Sequence, residues 1–329
     1  MVEIITVIGG SGFLGTNLCR YFSKNGQDFE IIDLKKSNEF PEHCKIADIR
    51  DIDSLRKSIT GNLLINLAAV HRDDIVDKNE YYETNVVGTR NVIEICSELN
   101  IEKIIFTSSV AVYGFAEPGT DENGVINPFN EYGRTKFAAE EYLRKWQAEN
   151  QNELIIVRPT VIFGEGNRGN VYNLISQIAS GQFIMIGAGT NYKSMAYVGN
   201  VVAFVVKCIE SKEVNGLYNY VDTPDLDMNT LVSQVRQTLK NSNKIGPRIP
   251  YRIGLAIGYV SDVITKITGK KLPVSSIRIK KFCSSSSFKT SKSNLDDFCP
   301  PYTLQQGINY TLKSEFISPD ENREIFYTE

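Results

Sequence analysis

Two histidines, one tryptophan and no close pair of cysteines are what 329 residues offer to metal or redox chemistry. The six cysteines, Cys19, Cys44, Cys96, Cys208, Cys283 and Cys299, lie far apart in sequence, and neither His43 nor His71 has a partner at ligand spacing. Zinc sites and dithiol motifs need closely spaced ligands, so no metal is expected, and unpaired thiols point to a reduced, cytoplasmic compartment. An excess of positive charge is also missing: the net charge is −3, which gives no overall attraction for nucleic acid. No long apolar run occurs. The longest, around Ile253 to Val260, is far short of the roughly 20 residues of a spanning helix. The amino-terminal residues enter a strand-like segment, Ile4 to Ile8, with no basic region or cleavage site ahead of it, so no signal peptide is expected. What remains is 42% hydrophobic and 23% charged, enough for a large core in one big or two closely joined domains.

Short β-branched runs alternate with helical-period segments through the first half of the chain. The strand-like runs are Ile4 to Ile8, Phe29 to Asp33, Leu63 to Ala68, Ile104 to Ser108 and Leu154 to Arg158. Between them, Gly12 to Asn25, Tyr81 to Leu99 and Tyr132 to Glu149 carry apolar residues at three- and four-residue spacing. Such alternation predicts an α/β fold, a doubly wound parallel sheet covered by helices on both faces. After Arg158-Pro159 the pattern loosens into Gly- and Asn-rich loops, which predicts a smaller carboxy-terminal α/β lobe. The expected division is a Rossmann domain over 1–162, with return segments near 195–222, and a substrate lobe from 163–194 and 223–329.

The first strand ends in Gly9-Gly10-Ser11-Gly12-Phe13-Leu14-Gly15 and a helix follows. Glycines there allow a tight turn and a close backbone approach to a pyrophosphate, whose charge meets the amides at the helix start. Gly9, Gly12, Phe13, Leu14 and Gly15 are therefore candidate cofactor residues, a plain tight turn being the alternative. Asp33 closes the second strand eighteen residues after Gly15. A carboxylate at that place accepts from ribose hydroxyls and repels a 2′-phosphate, which favours NAD over NADP, although Lys35 and Lys36 stand nearby. Asp48 is a candidate acceptor for the adenine amino group, or else a helix cap. Ile49 beside it and Ala68 at the end of the third strand complete the expected cofactor contacts.

Tyr132-Gly133-Arg134-Thr135-Lys136 sets a phenol and an ammonium four residues apart, on one helix face. A free tyrosine titrates near 10. As a base at neutral pH it needs positive charge beside it, which Lys136 and an oxidised nicotinamide would both supply. The fourth strand ends in Phe106-Thr107-Ser108-Ser109-Val110-Ala111-Val112-Tyr113-Gly114, placing hydroxyls at the carboxyl edge of the sheet, where such folds bind ligands. The glycine turn, Asp33, Asn85 in Asn-Val-Val-Gly-Thr, Ser109 before Val112-Tyr113-Gly114, Tyr132 with Lys136, and Arg158-Pro159 together resemble the extended short-chain dehydrogenase/reductase family of NAD-dependent sugar epimerases and dehydratases.

The resemblance implies that Tyr132 is the base, that Lys136 orients it and holds the nicotinamide ribose, and that Ser109 binds the reacting hydroxyl. Asn85 is then a helix-positioning group with some contact to the site. Sugar dehydratases of the family carry an acidic pair where this chain has Val110 and Ala111, so the resemblance implies epimerisation. In its 4-epimerases the tyrosine takes the sugar 4-hydroxyl proton, hydride passes from C4 to NAD, and the 4-keto sugar turns over before the hydride returns. Family members grip the substrate diphosphate with an arginine where this chain reads Lys193-Ser194-Met195-Ala196-Tyr197-Val198; lysine is a point charge and not a bidentate fork.

His71-Arg72-Asp73-Asp74, Asn167 to Tyr172, Gly187 to Met195 and Ile267 to Lys271 resemble a narrower group within the family. Those members epimerise N-acetylglucosamine on a polyprenyl diphosphate. The expected substrate residues are Ser109, Asn170, Lys193 and Arg278, with Lys280 and Lys281 as further diphosphate candidates. Charge patterning adds to this: 244–292 holds eleven Lys or Arg against one acid, Asp262. Ile253, Ile257, Val260, Ile264 and Ile267 fall there at helical spacing. An apolar helix face flanked by cations suits an anionic membrane surface, so peripheral association with the cytoplasmic face of the inner membrane is one expectation. The other is a core face with cations that are solvated or bind a diphosphate. A nucleotide-sugar 4-epimerase acting on UDP-glucose or UDP-N-acetylglucosamine is the alternative function, and a non-catalytic NAD-binding protein a third. The resemblance also implies a homodimer packed through helices on one side of the sheet.

Overall fold

A computed structural model of the chain describes residues 4–72, 75–211, 215–269, 272, 274–290, 295 and 298–328. Strands β1 (Ile5–Ile8), β2 (Phe29–Asp33), β3 (Cys44–Ile46), β4 (Leu63–Asn66), β5 (Lys103–Thr107) and β6 (Glu153–Pro159) follow one another along the chain. Four short strands come next: β7 (Val161–Phe163), β8 (Met185–Ile186), β9 (Tyr192–Lys193) and β10 (Met195–Tyr197). β11 (Asn215–Tyr220) then returns to the main sheet beside β6. The sheet has seven strands in the order β11-β6-β5-β4-β1-β2-β3, and every pairing in it is parallel. β12 (Leu226–Asp227) pairs with β9 and β13 (Arg248–Ile249) with β8, so the peripheral lobe is built from two-stranded pieces.

Alternation along each strand sends successive apolar side chains to opposite faces, and both faces are covered. On one face Val7, Ile31, Ile65, Ile105 and Val157 pack with residues of α1 (Phe13–Lys24) and α7 (Val198–Glu210). On the other Ile8, Ile32, Leu64, Ile104 and Ile156 meet α2 (Ile52–Ser58), α4 (Gly88–Leu99) and α5 (Glu131–Asn150). Chain order reverses between β1 and β4. The crevice at their carboxyl ends is the place where doubly wound sheets bind ligands.

The expected single helix over Tyr81 to Leu99 is instead three segments. α3 (Asn79–Tyr82) leads into a π-helical stretch, Glu83–Val87, before α4 begins. β3 has only three residues in a polar run, too few to show a period. The lobe is completed by α6 (Asn170–Ser180), α8 (Met228–Lys240), α9 (Tyr251–Thr268), α10 (Ser276–Cys283) and α11 (Leu304–Leu312). In α9 only Gly254 and Gly258 are buried; a Cβ at Gly258 would lie 2.8 Å from Ser276 Cα, so the helix touches α10 through its glycines. The isoleucines and valines face outward, with Ile253 53%, Val260 59% and Ile267 78% exposed. The core reading of that face is overturned, because the lobe meets α9 on its small-residue side.

Candidate active site

Gly9 leaves β1 with φ +81°, and a Cβ there would lie 2.7 Å from Ala68 N, so the turn after β1 and the loop after β4 meet through a residue without a side chain. Gly12 caps α1 and offers no side-chain acceptor, which leaves first-turn amides at Phe13, Leu14 and Gly15 for an anionic ligand. Asp33 lies across this turn: its carboxylate accepts from Ser11 N at 3.0 Å and Lys35 N at 3.2 Å. Burial raises its pKa, with those backbone bonds opposing. Asp48 is engaged by an ion pair. Arg50 holds it at 2.6 to 3.0 Å through both oxygens, which lowers its pKa, and the cap of α2 is Asp51. Ile49 is buried against Gly88, and Ala68 N donates to Asn66 Oδ1 at 3.1 Å.

Two caps bring the catalytic candidates together. Ser109 caps the 3₁₀ turn Val110–Tyr113 by accepting from Ala111 N at 3.1 Å, and Asn130 caps α5 by accepting from Gly133 N at 2.9 Å. A Cβ at Gly133 would fall 2.4 Å from Ala111 O, so the start of α5 presses against the 3₁₀ turn. Tyr132, in the first turn of α5, thereby reaches Ser109, whose side chain hydrogen-bonds it. Burial pushes the phenol up to about 12, and the Ser109 bond works against that.

One turn further along α5, Lys136 is 1% exposed and its Nζ has no hydrogen-bond partner among the described residues. The ammonium sits 4.4 Å from the centre of the Phe106 ring, and burial lowers its pKa to about 7. An unpartnered buried ammonium is costly. Hydroxyl acceptors such as a ribose diol would complete it, so the residues present fit a nicotinamide dinucleotide.

Asn85, in the π-helical stretch, fastens the surroundings. Its amide accepts from Val70 N at 2.9 Å and donates to Val70 O at 3.0 Å and Thr135 Oγ1 at 2.9 Å. The loop after β4 is thus tied to α5 between Tyr132 and Lys136. That loop carries His71, whose ring centre lies 6.4 Å from that of Tyr132. Burial lowers the His71 pKa, and the Lys136 and Arg72 charges add to the effect. Beneath α5, Arg158 pairs with Glu140 and donates to Tyr113 Oη at 2.7 Å.

The substrate candidates are more dispersed. Asn170 is the exposed first residue of α6, and Arg278 is exposed on α10. Lys193 is held at the end of α10, where Nζ donates to Lys281 O at 2.7 Å and Ser284 O at 2.6 Å, and burial lowers its pKa to about 8. A cavity of about 640 Å³ opens there, lined among others by Phe115, the loop 187–191, Tyr251 and Lys280. Of the α10 cations, Lys280 lines this cavity and Arg278 does not. Asp73, Asp74, Lys270, Lys271 and Lys292 lie outside the described residues. Among those described, no group of three or more His, Cys, Asp or Glu could hold a metal.

Two features lay beyond the motifs. Phe115 and Phe129 pack in a tilted pair with ring centres 4.9 Å apart, and the Lys281 ammonium stands 4.6 Å from the Phe129 ring centre. Only the aromatic character of the residues flanking Ser109 and Tyr132 hinted at this. The carboxy-terminal segment returns to the glycine turn, and nothing in its sequence signals that.

A seven-stranded parallel sheet, a glycine turn with Asp33 opposite and a half-buried Tyr132 one helical turn from the buried Lys136 define a dinucleotide-binding α/β protein. The model described as the NAD dependent epimerase/dehydratase family matches residues 5–220, and the chain belongs to that family. It is 47% identical to the N-acetyl-alpha-D-glucosaminyl-diphospho-ditrans,octacis-undecaprenol 4-epimerase of Escherichia coli O157:H7, over 100% of both chains. Its fold is similar to the UDP-glucose 4-epimerase of Thermotoga maritima, with TM-score 0.74 at 19% identity over 94% of this chain and 97% of that one. The UDP-N-acetylglucosamine 4-epimerase of Bacillus cereus gives TM-score 0.73 at 17% identity, over 93% and 97%. At such identities the two structures speak for the fold alone.

Proposed function

We propose that the protein is an NAD-dependent 4-epimerase interconverting N-acetylglucosamine and N-acetylgalactosamine on undecaprenyl diphosphate, through a 4-keto intermediate, for surface polysaccharide synthesis. The observation that carries the reading is the full-length 47% identity to the E. coli enzyme, joined to a Tyr132–Ser109 pair at the sheet edge. In this reading 1–162 with return segments near 195–222 binds the cofactor, and 163–194 with 223–329 binds substrate. Gly9, Gly12, Phe13, Leu14 and Gly15 receive the pyrophosphate, Asp33 the adenosine ribose, and Asp48, Ile49 and Ala68 border the adenine and nicotinamide ends. NAD, when bound, accepts hydride from the sugar and gives it back. Tyr132 takes and returns the proton of the 4-hydroxyl, Ser109 holds that hydroxyl, and Lys136 keeps positive charge beside the phenol. Asn170, Lys193 and Arg278 serve the substrate. Among the described residues two of the three Lys193 N–H donors are spent on carbonyls, which leaves the third for a phosphate oxygen.

The test offers undecaprenyl-diphosphate N-acetylglucosamine and UDP-N-acetylglucosamine side by side to purified protein with no NAD added. Conversion of the lipid-linked sugar is expected. Conversion of the UDP-sugar alone would return the enzyme to nucleotide-sugar metabolism, and conversion of neither would leave a non-catalytic NAD-binding protein.

Among the described residues no helix is long and apolar enough to cross a membrane. We infer a peripheral contact at the cytoplasmic face through α9, with a homodimer packed on another side. Ile253, Ile257, Val260 and Ile264 form its outward face, Arg252 and Lys266 flank it, and Lys280 stands 5.5 Å from the Tyr259 ring. Each cation adds about 1 kcal/mol near anionic lipid, and each buried apolar side chain about 1.5–3 kcal/mol. Ile257→Ser with Val260→Ser is expected to lower co-sedimentation with phosphatidylglycerol vesicles by roughly 10²-fold or more. Undiminished binding of that variant would remove α9 from the contact.

A further inference from the structure

The carboxy-terminal segment crosses from the substrate lobe to the cofactor crevice. α11 runs on through Lys313–Ile317, where the buried Glu315 carboxylate accepts from Gly166 N at 2.6 Å and pairs with Arg168. The Arg168 guanidinium lies 4.0 Å from the Tyr172 ring, which stacks on Phe316 at 5.6 Å. From this anchor the chain doubles back beside the loop 164–169. Phe326 N donates to Gly166 O at 2.9 Å, Arg168 N donates to Phe326 O at 2.8 Å, and Thr328 Oγ1 donates to Asn167 Oδ1 at 2.6 Å. The fit is close, since a Cβ at Gly166 would lie 2.7 Å from Glu324 O.

Three contacts then reach the cofactor half. Phe326 packs on Phe13 of the glycine turn with ring centres 5.7 Å apart. Glu324 Oε1 accepts from Asn38 Nδ2 at 2.5 Å, in the loop that follows Asp33. The backbone of Thr328 hydrogen-bonds His71, the neighbour of Tyr132. One short segment therefore touches the glycine turn, the loop that follows Asp33 and the catalytic end, while anchored to the lobe opposite.

We propose that residues 318–328 form a strap that closes the dinucleotide crevice and retains NAD from one turnover to the next. The benefit of retention rests on the epimerase reading: an enzyme that takes hydride and returns it to the same molecule is stranded if the reduced cofactor leaves. The contacts themselves rest only on NAD binding.

The experiment measures NAD dissociation from three variants: the chain ended at Ile317, Phe326→Ala, and Asn38→Ala. Loss of the Phe326 ring contact corresponds to up to about tenfold faster release, loss of the exposed Asn38–Glu324 hydrogen bond to a smaller increase, and loss of the whole strap to more than either. The full chain is expected to keep its NAD through desalting. The shortened chain should lose it while retaining its far-UV circular dichroism, and excess NAD should refill the site. A folded shortened chain that holds NAD as long as the full chain overturns the proposal. Should that chain not fold, Phe326→Ala and Asn38→Ala decide alone, and unchanged release in both overturns it. Sugar conversion is scored separately: faster NAD release with neither sugar converted upholds the strap and sinks the epimerase reading.

Discussion

Tyr132→Phe is expected to lower the epimerisation rate by roughly 10²- to 10⁴-fold, the usual contribution of a positioned acid–base group, while NAD remains bound. The substitution removes one oxygen and keeps the ring that packs beside His71. Ser109 retains its bond from Ala111 N, and Lys136, one turn away, is untouched. The pH dependence is the sharper signature. Burial pushes the phenol up to about 12, too high for a base at neutral pH unless positive charge stands beside it. Positive charge from Lys136 and from oxidised nicotinamide must pull that value down. In the proposed reading, ribose hydroxyls accepting from Lys136 would favour its charged form and lift it from about 7, so cofactor binding would recruit the ammonium for this task. The native rate should therefore rise with pH through a tyrosine ionisation, and the Tyr132→Phe enzyme should lose that limb. A full rate in this variant, or an unchanged profile, would remove Tyr132 from the chemistry.

The strands could be read from sequence because both faces of a parallel sheet are buried. Segments such as Ile5–Ile8 and Leu63–Asn66 are buried throughout and carry almost no polar residue. The glycine turn was equally plain: the positive φ of Gly9 and its contact with Ala68 leave no room for another residue. Tyr132 and Lys136 could be paired because four residues is one helical turn. Interactions decided by distant parts of the chain left no such trace. Asp48 has an acceptor's chemistry wherever it points, and only the fold shows Arg50 gripping it. The apolar spacing in α9 suits a core helix and an outward-facing helix equally, and what excludes the core is that Gly254 and Gly258 alone are buried. The strap was the least legible part. Its hydrogen bonds to Asn167 and Asn38 span 161 and 286 residues, the ring contact with Phe13 is more distant still, and all run through backbone atoms, one phenylalanine and single polar groups.

Glu140→Ala is expected to destabilise the protein by roughly 3–5 kcal/mol, the typical result of stripping one partner from a buried ion pair. Glu140 and Arg158 side chains are 0% and 2% exposed, so the guanidinium left behind would be buried with, among the described residues, only the Tyr113 phenol to receive it. Against the roughly 5–15 kcal/mol of an ordinary domain this is a large fraction. A denaturant midpoint unchanged from the native chain would show that the charge finds other compensation. Replacing both partners with apolar residues, Glu140→Leu with Arg158→Met, should recover most of the loss, because no charge is then buried alone. Activity should not recover with it. The pair joins α5, which carries Tyr132 and Lys136, to β6, and through Tyr113 it reaches the turn that Ser109 caps and Asn219 of β11. A shift of about 1 Å between Tyr132 and Ser109 costs on the order of 10² in rate. A stable double variant with a reduced turnover number and bound NAD is the expected outcome, and full activity in that variant would make the pair a matter of stability alone.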